Sequence, residues 1–262
     1  MTTDNPIIEA QQGHVRLLTI NRPARRNALD NAAASALARA LRAADGDGTV
    51  RVTVLTGAGG AFCAGADLKA LAEGEMYPPW AGDPDGPCHQ VLSKPLIAAV
   101  EGHACAGGLG IALRCDLRVA AEGARFAVLS RRWGVPMSDG TTVRLPRLIG
   151  LGRALDMLLT AREVEAAEAA AIGLADRLVP RGGALEAALA LAHLVAGFPQ
   201  GAMRADRASA YAGLDLPLAE ALQVEASISA EARRLEAIDG AGRFAAGAGR
   251  HGSLLPAEGP PA

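Results

Sequence analysis

The stretch from Lys94 to Asp116, KPLIAAVEGHACAGGLGIALRCD, constrains this chain more than any other. Residues 95–100 (PLIAAV) are continuously apolar, the pattern of a strand covered on both faces. A polar break, Glu101-Gly102-His103, follows, and Ala106-Gly107-Gly108 then opens a short apolar helix over 109–114. A strand, a glycine turn and a helix start leave backbone N–H groups without intrahelical acceptors. Glycine lets a ligand come close to that backbone, and the helix dipole favours negative charge there. The arrangement suits an anion, or an oxygen that becomes one during reaction. A Gly-Gly pair before a helix also serves plain packing, so this feature needs a second beside it.

A second junction of the same kind lies upstream. Residues 51–56 (RVTVLT) read as a strand, and 57–69 (GAGGAFCAGADLK) as a glycine loop and helix start with Asp67 in the first turn. A dinucleotide fingerprint would need glycine where Phe62 stands, and no P-loop lysine follows. Nucleotide phosphate binding is therefore excluded here. Two helix starts can each aim one N–H at a single oxygen and stabilise an enolate or tetrahedral oxyanion. One such donor is typically worth about 3–4 kcal/mol.

The rest of the chain alternates helices with β-branched strands, which predicts an α/β fold. Residues 15–20 (VRLLTI) read as the first strand, and Asp30 or Asn31 caps a helix running to about Ala44. The segment 73–87, with four prolines and three glycines, reads as a mobile surface loop. Strands at 116–121 and 124–129 are joined by a tight turn at Glu122-Gly123, and 130–138 is an irregular loop. Asp139 then caps a helix over 140–149. From Gly152 onward the pattern is almost wholly helical, apart from a short strand at 176–179, with helices near 184–197, 200–211 and 218–237. The Gly/Pro-rich tail from Gly247 reads as loose. The organisation expected is a core over 1–197 and a C-terminal helical region with its tail over 198–262.

Length bounds the fold to one large domain, or a domain with an appendage, at 262 residues. Half the residues are hydrophobic but aromatics are only 3%, so the core has to be built from Ala, Leu, Val and Ile. A net charge of −2 without a basic run argues against nucleic acid as a partner. The first residues are polar, and no apolar run reaches the ~18 residues of a membrane helix. Cys63, Cys88, Cys105 and Cys115 have no CxxC spacing and read as reduced, buried thiols. Together these predict a cytoplasmic protein with no membrane partner and no metal.

With these segments in order, the chain resembles the crotonase superfamily, also called the enoyl-CoA hydratase/isomerase family. The resemblance runs from about Val15 to Gly252. It rests on NRPARRNAL (21–29), AFCAGADLKAL (61–71), SKPLIAAVEGHACAGGLGIALRCD (93–116), GTTVRLPRLIG (140–150) and GLADRLVP (173–180). It implies a spiral of ββα units with a helical C-terminal region that trimerises, often into a dimer of trimers. It also implies an acyl-CoA thioester as substrate, so that coenzyme A is part of the substrate and not a separate cofactor. Carried over residue by residue, the two oxyanion-hole amides fall on Ala66 and Gly107. The segment along coenzyme A falls on Ala64, Ala66, Asp67, Leu68 and Lys69, and a basic side chain near its phosphates on Arg25 or Arg26.

The proton machinery departs from that pattern. Hydratases of the family work with two glutamates as acid and base, and here those positions hold Gly110 and Ser130. Asp139 is the best substitute, at a junction that faces the acyl pocket in relatives; its alternative role is a helix cap. Ser130 can hydrogen-bond substrate or water but is a poor base unaided, and Trp133 is expected to shape the acyl pocket. The run GGLGIA also resembles the coenzyme-A dehalogenases, although their nucleophilic aspartate falls on Ser138. The expected function is thioester enolate chemistry, as a hydratase-like lyase or isomerase. The alternatives are a catalytically silent acyl-CoA-binding paralogue and a dehalogenase- or hydrolase-like member.

Overall fold

The computed structural model describes residues 5–89 and 91–248, and the chain divides into two compact units, 1–192 and 193–262. Most of the tail expected to be loose, beyond residue 248, lies outside the described residues.

The first unit is built on a six-stranded sheet of β1 (Ile7–Gln12), β2 (Val15–Ile20), β3 (Val52–Gly57), β4 (Leu96–Val100), β6 (Leu117–Ala121) and β9 (Arg177–Val179), in the order β1-β2-β3-β4-β6-β9. All neighbours run parallel except the antiparallel β1–β2 pair at one edge. β4 is buried along its whole length and β3 is buried from Val52 to Thr56, as unbroken apolar runs in a parallel sheet should be. Helix α1 (Asn31–Gly46) starts where Asp30 accepts the N–H of Ala33 at 2.9 Å. Its buried residues, Ala33, Ala34, Leu37, Ala38, Leu41 and Ala44 among them, recur at three- and four-residue spacing, and the alanines let the helix lie close to its neighbours.

A second, three-stranded sheet contains β5 (His103–Cys105), β7 (Arg125–Ala127) and β8 (Glu163–Glu165). The chain passes from the first sheet to the second within Glu101-Gly102. Gly102 has φ +53°, and a Cβ there would lie 2.3 Å from the carbonyl oxygen of Gly60. Only glycine fits that crossing.

Four features differ from the sequence reading. β1 was unexpected because only Ile7 of its six residues is buried, which leaves no alternation to read. The turn between 121 and 124 exists, yet β6 and β7 do not pair with each other; they belong to different sheets. The helical stretch after Gly152 is interrupted by β8 between α5 (Leu151–Thr160) and α6 (Ala166–Ala171). The proline-rich segment is also no mere surface loop. Trp80 within it is 3% exposed, and the strap is tied down at several points described below.

In the second unit α8 (Gln200–Gly213) and α9 (Leu218–Ala245) pack as a pair. The carboxylate of Glu236 on α9 accepts the N–H groups of Gly201 and Ala202, both at 2.8 Å, and so closes the open start of α8. Helix α7 (Ala184–Gly197) precedes them along the chain. Among the described residues no helix is long and apolar enough to cross a membrane.

Candidate active site

The two glycine junctions meet. Phe62 donates to the carbonyl of Glu101 at 2.8 Å, Cys63 to that of His103 at 2.9 Å, and Cys105 back to that of Cys63 at 3.0 Å. On its other side the upstream loop is held by Leu29, whose N–H reaches the Gly65 carbonyl while its own carbonyl accepts from Asp67. Those bonds use the groups on either side of Ala66, so the N–H of Ala66 faces away and has no acceptor among the described residues. Gly65 has φ +97°, and a Cβ on it would lie 2.7 Å from the nitrogen of Gly107. Its missing side chain is what brings the two junctions together.

Helix α3 (Gly107–Arg114) begins after Ala106, an alanine at φ +49°, ψ −125° whose N–H is fixed to the Ala127 carbonyl at 2.8 Å. Such a backbone costs of order 1–3 kcal/mol and persists only where the surroundings hold it. Leu109 and Gly110 donate to the Ala106 carbonyl, whereas the N–H of Gly107 has no acceptor among the described residues. A Cβ on Gly108 would fall 2.0 Å from the carbonyl oxygen of Cys63, so that glycine seats the helix against the first loop.

Ala66 and Gly107 line a cavity of about 310 Å³. Ala64, Leu68, Ser130, Trp133 and Asp139, all singled out in the sequence, line it as well. Trp133 stands at 70% exposure, and the Ser130 hydroxyl lies 3.1 Å from the sulfur of Met137. Three expected residues fall elsewhere. The Asp67 carboxylate is buried, accepts the N–H of Lys69 at the start of α2 (Leu68–Ala72), and pairs with Arg25 at 3.1 Å and Arg22 at 3.5 Å. Arg25 is thus engaged by Asp67, and its neighbour Arg26 lines the cavity instead. Lys69 is exposed and does not reach the wall.

Asp139 stands both at a helix start and on the cavity wall. Its carboxylate accepts the N–H of Thr141, two residues on, at 2.9 Å at the start of α4 (Thr141–Ile149), and it is also 4% exposed on the cavity wall. Burial pushes its pKa above the ordinary 3.8, opposed by the Thr141 N–H and more weakly by Arg144. Burial also raises Tyr77, with the Asp139 charge adding to the effect. The Cys63 thiol is pushed to about 12, chiefly by burial, and stays protonated.

Sequence reasoning missed Tyr77 and Trp80, which the strap brings to the cavity. The Trp80 ring covers Gly107: a Cβ there would lie 2.5 Å from it. The strap is tied at the Met76 carbonyl by the Asn31 amide (2.9 Å), at Ala81 by an N–H to the Ser138 carbonyl (2.9 Å), and at the Cys88 carbonyl by Arg144 (2.9 Å). One signal was available. The chain has only two tryptophans and two tyrosines, and both tryptophans and one tyrosine line this cavity.

The model of the enoyl-CoA hydratase/isomerase family matches residues 10–245. The chain belongs to that family. It is 42% identical over 192 residues to enoyl-CoA hydratase EchA19 of Mycobacterium tuberculosis, covering 71% of this chain and 72% of the relative. It is 37% identical over 244 residues to the 2,3-dehydroadipyl-CoA hydratase of Escherichia coli, covering 88% and 93%. The crystal structure of enoyl-CoA hydratase EchA1 from Mycobacterium marinum superposes with a TM-score of 0.88 at 35% identity, over 93% of this chain and 96% of that one. The fold is the crotonase fold, and the family is enzymatic.

The two roles open to Asp139 differ in what they do to stability. The folded chain binds its proton more tightly than the unfolded chain, so the carboxyl favours the fold most below its unfolded pKa. That contribution is lost as pH rises through the raised value. Asp139→Asn keeps an acceptor for Thr141 and cannot ionise. It should therefore match the wild type at acid pH and melt higher at neutral pH. A lower melting temperature at neutral pH would mean that the cap outweighs the buried charge.

Proposed function

We propose that this enzyme binds an acyl-CoA thioester with the carbonyl oxygen between the N–H groups of Ala66 and Gly107, and that Asp139 moves the proton on the adjacent α-carbon. One observation carries this reading: two N–H groups without acceptors among the described residues share a cavity with a buried carboxyl of raised pKa. Removing an α-proton places negative charge on the thioester oxygen. Donors fixed at that oxygen stabilise the charge where it develops, and exclusion of water strengthens them. A carboxylate whose pKa is raised toward neutrality is the better matched base. Arg26 is favoured over Arg25 for the phosphates, because Arg25 is paired with Asp67.

Hydration needs a base for water and an acid for the α-carbon, and neither Gly110 nor Ser130 offers a carboxyl. A single carboxyl that takes a proton from one carbon and returns it to another fits a double-bond shift better. The relatives named as hydratases support a second reading, hydration with Asp139 as the only carboxyl. Four buried, unpaired cysteines suit the reducing cytoplasm proposed for the enzyme.

The donor pair is tested at Ala66. Gly107 is the poorer target, because any side chain there strikes Trp80. Ala66→Pro removes an N–H that holds no other structure together, and should lower turnover about 10²–10³-fold at an unchanged melting temperature. Unchanged turnover would remove Ala66 from the site.

Proton exchange at the α-carbon of a CoA thioester in heavy water tests the chemistry. Wild type should exchange readily and hydrate crotonyl-CoA far more slowly than an ordinary hydratase. Asp139→Asn should lose exchange by about 10²-fold or more. The acid limb of the wild-type profile should lie above the ordinary carboxylate range. Binding without exchange in the wild type would point to the silent acyl-CoA-binding paralogue.

The same reading includes a homotrimer, or a dimer of trimers. Leu151, Leu155 and Leu159 recur every fourth residue on α5 and are all exposed, as are Leu218, Leu222, Leu235, Ile238 and Phe244 on α9. So much uncovered apolar surface supports the proposal of contact faces between copies. Sedimentation at micromolar concentration should give three or six times the 26.7 kDa chain mass, and a monomer would refute the assembly.

A further inference from the structure

Gly110 sits inside α3, one turn after Gly107, and nothing in its backbone requires glycine. Gly65, Gly102 and Gly140 have positive φ, whereas Gly110 is ordinary helix. Glycine inside a helix is less stable than alanine there. The space explains it. A Cβ on Gly110 would lie 2.4 Å from Cγ of Asp139 and 2.7 Å from both its Cβ and its Oδ1. Real Cβ atoms do not approach other heavy atoms so closely, so a side chain at 110 and the carboxyl of Asp139 exclude each other.

The carboxyl is not free to step aside. Its Oδ1 accepts the Thr141 N–H at 2.9 Å, and the Asp139 carbonyl accepts from Arg144 at 3.1 Å. The Ser138 carbonyl before it holds Ala81 of the strap. From these contacts we infer that Gly110 is a positioning residue: its missing side chain admits the Asp139 carboxyl against α3, one turn from the Gly107 N–H. The inference rests on the assignment of proton transfer to Asp139, and it makes the carboxyl's place in the site depend on an empty position on a different element.

The geometry also predicts an exchange of roles. A carboxyl carried at position 110 enters the same space from the helix side once Asp139 is shortened. Gly110→Ala should therefore lose α-proton exchange by about 10²-fold, as Asp139→Asn does, and move the acid limb of its profile. Gly110→Glu combined with Asp139→Gly relieves the clash and restores a carboxyl. It should exchange at least about tenfold faster than Asp139→Gly alone, whether or not Gly110→Ala folds well. The carboxyl signal of Asp139 in protein labelled with ¹³C-aspartate, identified by its loss in Asp139→Asn, should titrate at a different pH in Gly110→Ala.

Wild-type exchange and an unshifted acid limb in Gly110→Ala, with Asp139→Asn inactive, would overturn the positioning role while sparing the catalytic one. No gain from the paired substitution over Asp139→Gly would also overturn it. Full exchange by Asp139→Asn would instead remove the proton-transfer assignment, and the carboxyl titration would then decide the positioning alone.

Discussion

The site depends on a short run of backbone hydrogen bonds between two loops. Residues 62–65 and 101–105 are not a regular sheet, yet three N–H···O bonds join them and a parallel bridge pairs Cys63 with Ala104. Each loop ends in a helix start, so fixing one loop against the other also fixes two sets of helix N–H groups against each other. For the proposed chemistry such donors would need little reorganisation, because the loops that carry them are already fixed to each other. Gly65 and Gly108 make this approach possible, and the positive φ of Ala106 turns the chain between strand and helix.

The strap adds the cover. The Trp80 ring lies over Gly107 and Tyr77 is beside it, with ring centroids 6.3 Å apart. Its ties run to α1 through Asn31, to residue 138 through Ala81, and to α4 through Arg144. Arg144 reaches both Cys88 and the backbone of Asp139, so the cover and the carboxyl share one anchor. The cover over Gly107 and the backbone that carries Asp139 are therefore held by the same side chain.

How much of this was legible follows from which signals are local. The two strand–glycine–helix junctions could be read because glycine placement and apolar runs are properties of neighbouring residues, and the motifs around them carried the family. Ala66, Gly107 and Asp139 emerged from that alone. The strap could not be read in the same way: prolines and glycines announce a loop but do not say whether the loop lies on water or on protein. The fate of Asp67 was hidden for a similar reason. Its carboxylate is claimed by Arg25 and Arg22, forty or more positions away along the chain, and no spacing rule links them. Gly110 could be seen as a missing carboxylate, but that it leaves room for another one is a fact of packing alone.

That packing bears on the chemistry. Burial in a mostly apolar wall raises the pKa of the Asp139 carboxyl, and the same desolvation would make its charged form a stronger base. Tyr77, Cys63 and Cys88 all feel its charge, and burial raises each of them too, so they remain protonated and take no part of that charge away. Arg144 faces it through the backbone carbonyl and offsets little of it. On the proposed function, a poorly compensated carboxylate would gain by taking a proton, and the enolate left behind would gain from the two N–H donors nearby. In the proposed reaction charge leaves Asp139 as it arrives at the thioester oxygen, so the proton transfer would leave the net charge of the cavity unchanged. Gly110 leaves the space beside the Asp139 carboxyl free of any second side chain, which is the packing that the proposed single-carboxyl chemistry requires.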